Sequence, residues 1–425
     1  MRHSILGAVL SLSFSIQSAA TTLDEALAQA YLTNPQLHMG VSSIQTANTA
    51  TADAISQAWP QVTATAGWNA KNDLSSNDRT SQSTSLSLGL SQLLFDGGRY
   101  GHHLNALRSE TRSQQHRLVD TEQTVLLNAV AAFMNVLREE LVVSLAESNV
   151  EILTEQLNAT RSRFEFGALP RTDVSLTEAR LASVTAELEL HRGSLLNSHE
   201  IYRAVVGSPP LNLVPPQRIP DLPSTVVEAE DIALRNHPRI SVARQNIAAA
   251  EAGARRDNLN RLPIVSANVS QSVRRGHMES SDLSAGISAT ITLFDGGKAR
   301  SQRKRSMTNV AARRSELLMA TALTRQSIRI AYSNWEVANA SLEAIEQQIA
   351  AAQLALDGVR VEYGLGARST LDVLNAEQEL RTARVNHARA SRDVFVAAFT
   401  VLAEMGQLTA QNLNLDVEPH RVDVR

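Results

Sequence analysis

The sequence predicts a mixed α and β chain built from two tandem repeats, each with long helices and a pair of membrane-type β-strands. Three observations lead to this fold class. Short motifs recur in the same order about 200 residues apart. Four segments of about ten residues alternate apolar and polar side chains. Two long segments, from His102 to Phe166 and from Lys298 to Asp357, contain neither glycine nor proline.

Residues 1–20 have the pattern of a secretory signal peptide. Arg2 and His3 precede an apolar stretch from Ile5 to Ile16, and Ser18-Ala19-Ala20 supplies the small residues of a cleavage site. The apolar stretch is too short for a spanning helix. We therefore expect cleavage after Ala20 and a mature protein outside the cytoplasm.

Composition narrows the function classes. The chain has no cysteine, which excludes disulfides, thiolate metal sites and a lipidated N-terminal cysteine. Its formal charge of −3 does not suggest a nucleic-acid partner. It lacks the common metalloprotease, phosphate-loop and serine-hydrolase motifs. The adjacent His102 and His103 would face different directions on a helix. We expect a non-enzymatic protein without a cofactor or metal site.

Matched motifs define the two repeats. Asn34-Pro35 and Trp59-Pro60 recur as His237-Pro238 and Leu262-Pro263 at an offset of 203, whereas the pentapeptide LFDGG recurs at an offset of 199. The four-residue difference indicates a longer loop in the first hairpin. The proline-rich segment 207–225 is expected to be an extended linker between the halves.

Each half is expected to run helix, hairpin, very long helix, turn and return helix. The long glycine-free and proline-free segments place apolar residues three or four positions apart, as in coiled-coil helices. The expected segments are the first repeat 21–206 with hairpin 60–95, long helix 97–165 and tip 166–173; the linker 207–225; the second repeat 226–406 with hairpin 263–294, long helix 297–362 and tip 363–372; and the C-terminal segment 407–425.

The long helices alone favour a coiled-coil rod. A helix of about 65 residues reaches about 100 Å, far beyond the needs of a globular domain. A secreted or periplasmic coiled-coil structural protein without channel activity is therefore the alternative interpretation.

The alternating segments favour a membrane barrel over that alternative. They are 61–71, 85–94, 264–273 and 283–293, and each has the length and dyad pattern of a transmembrane β-strand. Four strands cannot close a barrel, and unpaired backbone groups in lipid cost several kcal/mol each. The chain must therefore oligomerise. Two copies give eight strands with a filled interior, and three give twelve strands with room for a lumen.

The repeated LFDGG is expected to join each hairpin to its long helix. An aspartate can cap a helix or shape a turn, and paired glycines permit the positive φ angles that a change of direction needs. The predicted joint residues are Asp96, Gly97 and Gly98 in the first repeat and Asp295, Gly296 and Gly297 in the second.

Three doubled motifs together resemble the TolC family of outer-membrane efflux and secretion channels. They are LDEALAQAYLTNPQL with its partner, LFDGG, and the G-x5-D-V motifs at 167–174 and 366–373. The resemblance implies a homotrimer whose twelve-stranded β-barrel in the outer membrane continues into a periplasmic α-helical barrel, with an equatorial domain around 207–225 and the C-terminal end.

The resemblance also implies the function and partners. Such a protein is a passive exit duct of a tripartite efflux or type I secretion system. A periplasmic adaptor and an inner-membrane transporter are its protein partners, and outer-membrane lipid surrounds its barrel. Drug efflux and protein secretion both remain open, although the absence of a lipidated cysteine mildly favours the secretion branch.

The same resemblance places a gate at the periplasmic helix tips. It implies links from Tyr363 and Arg368 of the second tip to Thr172 and Asp173 of the first tip or of a neighbouring chain. Arginine forms strong charge-assisted pairs with carboxylates. A routine salt bridge that only stabilises the turn is the alternative.

The resemblance further implies an acidic entrance ring. Asp372 occupies the first ring position, whereas Asn375 stands where a second carboxylate is expected. Three converging Asp372 carboxylates would attract cations, and Asn375 would halve the charge of the ring. The alternative role for Asp372 is capping of the return helix.

Overall fold

The computed structural model describes residues 20–73, 79–276 and 279–418, so the expected signal peptide lies outside the described residues except for Ala20. The helices are α1 (Leu23–Thr33), α2 (Pro35–Ser56), α3 (Arg99–Glu165), α4 (Arg171–Val206), α5 (Val226–Asn236), α6 (Pro238–Asn258), α7 (Lys298–Gly364) and α8 (Thr370–Glu404). The strands are β1 (Gln61–Asp73), β2 (Arg79–Phe95), β3 (Ile264–Gly276) and β4 (Ser280–Thr290).

The four strands form one antiparallel sheet in the order β1-β2-β3-β4. Gln61 pairs with Ser91 in the first hairpin, and Ile264 pairs with Thr290 in the second. Adding the repeat offset of 203 to residue 61 gives 264, and adding the offset of 199 to residue 91 gives 290. The two hairpins therefore share one register, and within the described chain β1 and β4 are paired on one side only.

Four strands lie where the sequence predicted them, with differences at their ends. β2 begins six residues before its predicted start at 85, and β4 begins three residues before its predicted start at 283. Apolar side chains of the sheet are exposed in the single chain, and those of Trp68 and Ile287 are 65% and 73% exposed. β2 extends to Phe95 because its last residues pair with β3. β4 ends at Thr290, before the predicted Leu293, because the chain offers no strand beside the residues that follow.

The two long helices run from the joints below the sheet to the distal helix tips. α3 and α7 each contain 67 residues, which corresponds to about 100 Å. They begin at Arg99 and Lys298, one or two residues later than the sequence suggested. Near the sheet the helices pack in the row α2-α3-α6-α7, and farther away in the row α4-α3-α8-α7. The helices thus form a wall that is one layer thick.

A second layer of short elements packs on one face of this wall. It comprises α1, α5, the linker and the segment after α8, and we call it the accessory layer. Its core surrounds Phe133 and Tyr202, and burial raises the pKa of Tyr202 to about 12. Glu122 of α3 accepts a hydrogen bond from the backbone N–H of Ala410 at 2.7 Å. Glu230 of α5 binds two arginines of α7.

The doubled N-terminal motif forms the same helix start in both repeats. The Asn34 side chain accepts a hydrogen bond from the N–H of Gln36 at 2.9 Å, and His237 Nδ1 accepts one from the N–H of Arg239 at 3.2 Å. A proline follows each cap at the first helical position, where its missing N–H costs nothing.

The first LFDGG makes the predicted joint between β2 and α3. Asp96 lies two positions before the N-cap residue, and its carboxylate accepts hydrogen bonds from the N–H groups of Gly98 and Tyr100. Gly97 and Gly98 have φ angles of 73° and 86°, a region that L side chains rarely occupy. The aspartate therefore satisfies helix N–H groups while the two glycines turn the chain.

The second joint repeats this geometry. Asp295 accepts hydrogen bonds from the N–H groups of Gly297 at 2.9 Å and Ala299 at 2.7 Å. The bond from Ala299 is the main reason that the pKa of Asp295 lies below its ordinary value. Gly296 and Gly297 have φ angles of 65° and 92°. The joint residues thus have the same role in both repeats.

We predict that Gly97→Ala destabilises the protein. The positive φ alone costs a residue with a Cβ roughly 1–2 kcal/mol, and the new Cβ would lie 2.7 Å from the Leu262 side chain. The helical circular dichroism signal should therefore be lost at a lower temperature than in the wild type.

Gly193→Ala within α4 is the matched control, because a Cβ there meets nothing within 4 Å and φ is not positive. This change should leave the transition unaltered or raise it slightly. An unchanged transition for Gly97→Ala would contradict the close packing of the joint.

Candidate functional site at the helix tips

Both helix tips distal to the sheet are built as the same glycine turn. Gly167 and Gly366 have φ angles of 73° and 77°. The N–H of Ala168 donates to Arg163 O at 2.8 Å, and the N–H of Ala367 donates to Glu362 O at 2.9 Å. These bonds satisfy carbonyls at the ends of α3 and α7 and reverse the chain toward the return helices. The glycine of each G-x5-D-V motif therefore has a structural role.

In the second tip, Asp372 belongs to a capping box. The Ser369 side chain accepts a hydrogen bond from the N–H of Asp372 at 3.3 Å. The Asp372 carboxylate in turn accepts bonds from the backbone N–H of Ser369 at 3.0 Å and from its hydroxyl at 2.8 Å. These bonds lower the pKa of Asp372. Asp372 thus takes part in capping, as the third residue of α8, whereas Ser369 is the N-cap.

The first tip lacks this capping box because its N-cap residue is Pro170. Proline has neither a side-chain acceptor nor an N–H for a carboxylate to bind. Within the described residues, the half-buried Asp173 carboxylate has no hydrogen bond or ion pair. The neighbouring Thr172 is exposed. The matching aspartates of the two repeats therefore differ, because Asp372 is engaged and Asp173 is available.

Tyr363 connects the two tips through a residue that the sequence reasoning missed. Arg163 Nη1 donates a hydrogen bond to the Tyr363 hydroxyl at 2.6 Å. The Arg163 guanidinium also lies 5.3 Å from the centre of the Tyr363 ring. The Tyr363 hydroxyl is 3.3 Å from Thr370 Oγ1. Arg163 corresponds to Glu362 at the repeat offset of 199, and this reversal of charge was the available sequence signal.

Arg368 is held within its own tip. Its Nε lies 2.7 Å from Glu362 Oε2, and both side chains are about half exposed. The hydrogen bond that Arg368 donates to Glu362 is the main reason that the pKa of Arg368 is raised. Such an exposed pair is screened by water and exchanges partners at little cost.

The four predicted gate residues therefore occupy two adjacent tips without direct contact between the predicted partners. In the described chain, Tyr363 and Arg368 bind Arg163 and Glu362, and neither binds Thr172 or Asp173. Asn375 is exposed and lies one helical turn after Asp372.

Matched ion pairs stabilise the two helical hairpins behind the tips. Arg161 of α3 lies 2.6 Å from Glu178 of α4, and Arg360 of α7 lies 2.9 Å from Glu377 of α8. Each residue of the second pair follows its counterpart by 199 positions. The hairpins are therefore braced alike, and the two tips differ from each other chiefly in the contacts at their ends.

The described residues offer no group of three or more His, Asp or Glu side chains that could hold a metal ion. In the same residues, no helix combines the length and hydropathy of a membrane span. The polar groups at the tips can form exchangeable ion pairs and present negative charge.

The chain resembles known proteins of one family along nearly its whole length. Residues 6–208 and 231–407 match the family model described as outer membrane efflux protein. The chain is 32% identical over 406 residues to the outer membrane efflux protein BepC of Brucella suis biovar 1 (strain 1330), covering 94% of this chain and 88% of that protein. It is 28% identical over 426 residues to the outer membrane protein TolC of Escherichia coli (strain K12), covering 95% and 86%.

Solved structures share the fold. The crystal structure of CusC superposes with a TM-score of 0.80 at 16% identity and covers 90% of this chain and 91% of that chain. At this identity the likeness concerns the fold alone.

Proposed function

The chain belongs to the outer membrane efflux protein family, and from this premise we propose that it is the passive exit duct of a tripartite efflux or type I secretion system. Its β-barrel lies in the outer membrane and its helical tunnel lies in the periplasm. A periplasmic adaptor and an inner-membrane transporter are its partners and supply the energy. Family membership disfavours the coiled-coil rod.

The observation that carries this proposal is a four-stranded sheet with two open edges. In hydrocarbon, the unpaired backbone groups of β1 and β4 would each cost several kcal/mol. Pairing β4 of one copy with β1 of the next removes both edges. Three copies give twelve strands, enough to surround a lumen, whereas eight strands would be filled by their own side chains. We therefore propose a homotrimer.

The repeats supply the register of the strand pair between copies. Within the chain, paired residue numbers of β2 and β3 add to 359, as for Leu88 and Gln271. Residues of β4 follow their counterparts in β2 by 199 positions, and residues of β1 precede their counterparts in β3 by 203 positions. If β4 of one copy pairs with β1 of the next copy as β2 pairs with β3, the paired residue numbers therefore add to 355. Ile287 then lies opposite Trp68 of the partner subunit. Both side chains are largely exposed in the single chain, so the pairing covers apolar surface on one face.

Cysteine pairs test this register, because the natural chain has no cysteine. Residues directly opposite in an antiparallel pair have Cα atoms about 4.5–5.5 Å apart, within the range of a disulfide. Since 66 and 289 add to 355, Ala66→Cys with Ala289→Cys should give a covalent trimer on denaturing gels after oxidation.

Ala66→Cys with Ala285→Cys is the off-register control. Its cysteines lie on the same face but about 14 Å apart along the strand, so it should remain monomeric on the same gel. Equal cross-linking of the two variants, or none in the first, would contradict the register.

We place the gate at the helix tips. The Asp173 carboxylate is available, Arg368 is held by an exposed pair, and Tyr363 is oriented by Arg163. In a trimer, each second tip would lie beside the first tip of the next chain, where Arg368 can exchange Glu362 for Asp173. Three such links can hold the tips together and still yield to an adaptor that binds the open state better.

The gate proposal predicts that Tyr363→Phe combined with Arg368→Ser raises single-channel conductance in planar bilayers. The change removes the hydroxyl and the guanidinium that would link the tips, and leaves both glycine turns in place. Arg163→Gln should raise conductance as well, because it removes the hydrogen bond that orients the Tyr363 hydroxyl.

Arg192→Ser serves as the control for this measurement. Arg192 binds Glu147 and Glu189 along the helical shaft, away from the tips. The conductance of the Arg192→Ser variant should match that of the wild type. If the tip variants also match the wild type, these residues do not form the gate.

We also propose that the Asp372 carboxylates of three chains form an entrance ring, so Asp372→Ala should lessen block of the channel by multivalent cations. Ser369→Ala removes the capping hydroxyl and keeps the carboxylate, so its block should be unchanged. Asn375→Asp adds one charge per chain and should strengthen block. Current measured against cation concentration distinguishes these outcomes, and equal loss in the two alanine variants would assign the effect to the start of α8.

A further inference from the structure

Four cations form an exposed patch where the helical wall meets the sheet. They are Arg255 near the end of α6 and Arg300, Arg303 and Lys304 in the first turns of α7, and we call them the basic patch. Within the described part of the chain, none of the four side chains has an ion pair or a hydrogen bond. Arg314, farther along α7, is instead paired with Glu251 at 2.7 Å.

The four cations share one face of the wall. Arg300, Arg303 and Lys304 precede Met307 by seven, four and three positions, a spacing that places them on one side of a helix. Met307 and Arg255 line the same groove between α6 and α7. The opposite groove contains Asp257, which accepts hydrogen bonds from Gln302 at 3.0 Å and from Ser306.

This face is the outer one. The same groove contains Arg314, which lies 11 positions, about three helical turns, before Arg325. Arg325 binds Glu230 of α5 at 2.6 Å, in the accessory layer. In a tube with an open lumen, that layer must lie outside. This step rests on the proposed function, because it requires the wall to enclose a duct.

In the proposed duct, three cations of the basic patch lie within reach of the lipid headgroups. Arg300, Arg303 and Lys304 are within about 9 Å of the start of α7 along the helix axis. The polar layer on one side of a bilayer is about 5–8 Å thick. Since the joint follows directly after the membrane strands, these three side chains can reach the phosphates of the periplasm-facing leaflet.

The first repeat is an internal control for the architecture. At the repeat offsets, Arg255, Arg300, Arg303 and Lys304 correspond to uncharged residues, namely Ala52, Gly101, Leu104 and Asn105. The same joint is built there with the same backbone geometry. The fold therefore does not require cations at these positions, and their presence in one repeat points to a ligand.

We propose that the basic patch binds the phosphate groups of anionic phospholipids in the periplasm-facing leaflet of the outer membrane. Clustered Lys and Arg beside a membrane segment attract anionic headgroups, and each contributes about a fivefold gain in affinity. Met307, which is 54% exposed, offers an apolar contact beside the patch. A trimer would present three such patches around its circumference.

Titration of the purified full-length protein with phosphatidylglycerol, followed by native mass spectrometry, tests the proposal. The wild type should bind phosphatidylglycerol more tightly than phosphatidylcholine. The triple variant Arg300→Gln, Arg303→Gln, Lys304→Gln should bind phosphatidylglycerol on the order of 100-fold more weakly if the three contributions add, and should bind phosphatidylcholine as before.

Two further variants complete the test. Gly101→Arg with Asn105→Lys recreates part of the basic patch in the first repeat, where both positions are exposed, and should strengthen phosphatidylglycerol binding. Neutralising Arg218, Arg244 and Arg389 to Gln removes three exposed cations elsewhere and should leave binding unchanged.

Unaltered phosphatidylglycerol binding in the triple variant would overturn the proposal. So would a triple variant that keeps lipid binding and loses only a co-purifying protein. Trimer formation and conductance are measured on every variant. If trimer formation and conductance are normal but phosphatidylglycerol is not preferred, only the lipid site is rejected. If the wild type neither forms a trimer nor conducts, the proposed duct is rejected.

Discussion

The outer edges of β1 and β4 present backbone groups without partners in the described chain, and in hydrocarbon such groups are too costly to leave unpaired. Most other features follow from closing these edges. In the proposed duct the chain meets copies of itself, and a strand pair between copies can reuse the β2–β3 register because the two hairpins are offset copies of each other. Under that register, Ile291 would lie opposite Ala64 of the partner subunit, so β4 would extend beyond Thr290 in the assembly.

The same reasoning accounts for a difference in packing between the two LFDGG joints. A Cβ on Gly97 would collide with Leu262, whereas a Cβ on Gly296 meets nothing within 4 Å. Leu262 corresponds to Trp59 at the repeat offset of 203. In a closed ring, Gly296 would therefore pack against Trp59 of the partner subunit, and Trp59 is 69% exposed in the single chain. The two joints become equivalent once the neighbouring copy is present.

The sequence predicted features that depend on nearby residues. Strand alternation, the joint aspartates and the tip glycines depend on a few consecutive positions, and local rules were sufficient. The contact between Arg163 and Tyr363 was missed because it joins residues 200 positions apart. The partner of Asp372 was missed for another reason. Its role depends on Ser369, which replaces the proline of the first repeat and so allows the capping box.

Divergence between the repeats separates architecture from function. Both halves must make the same joint, turn and hairpin brace, and they keep these with matched residues and angles. Where they differ, a shared structural demand cannot be the reason. Arg163 corresponds to Glu362. Asp173, whose carboxylate has no partner among the described residues, corresponds to Asp372, which takes part in a capping box. The four cations of the basic patch correspond to four uncharged residues of the first repeat. Differences of this kind favour roles toward other molecules, at the tips toward a neighbouring chain and at the membrane toward lipid phosphate.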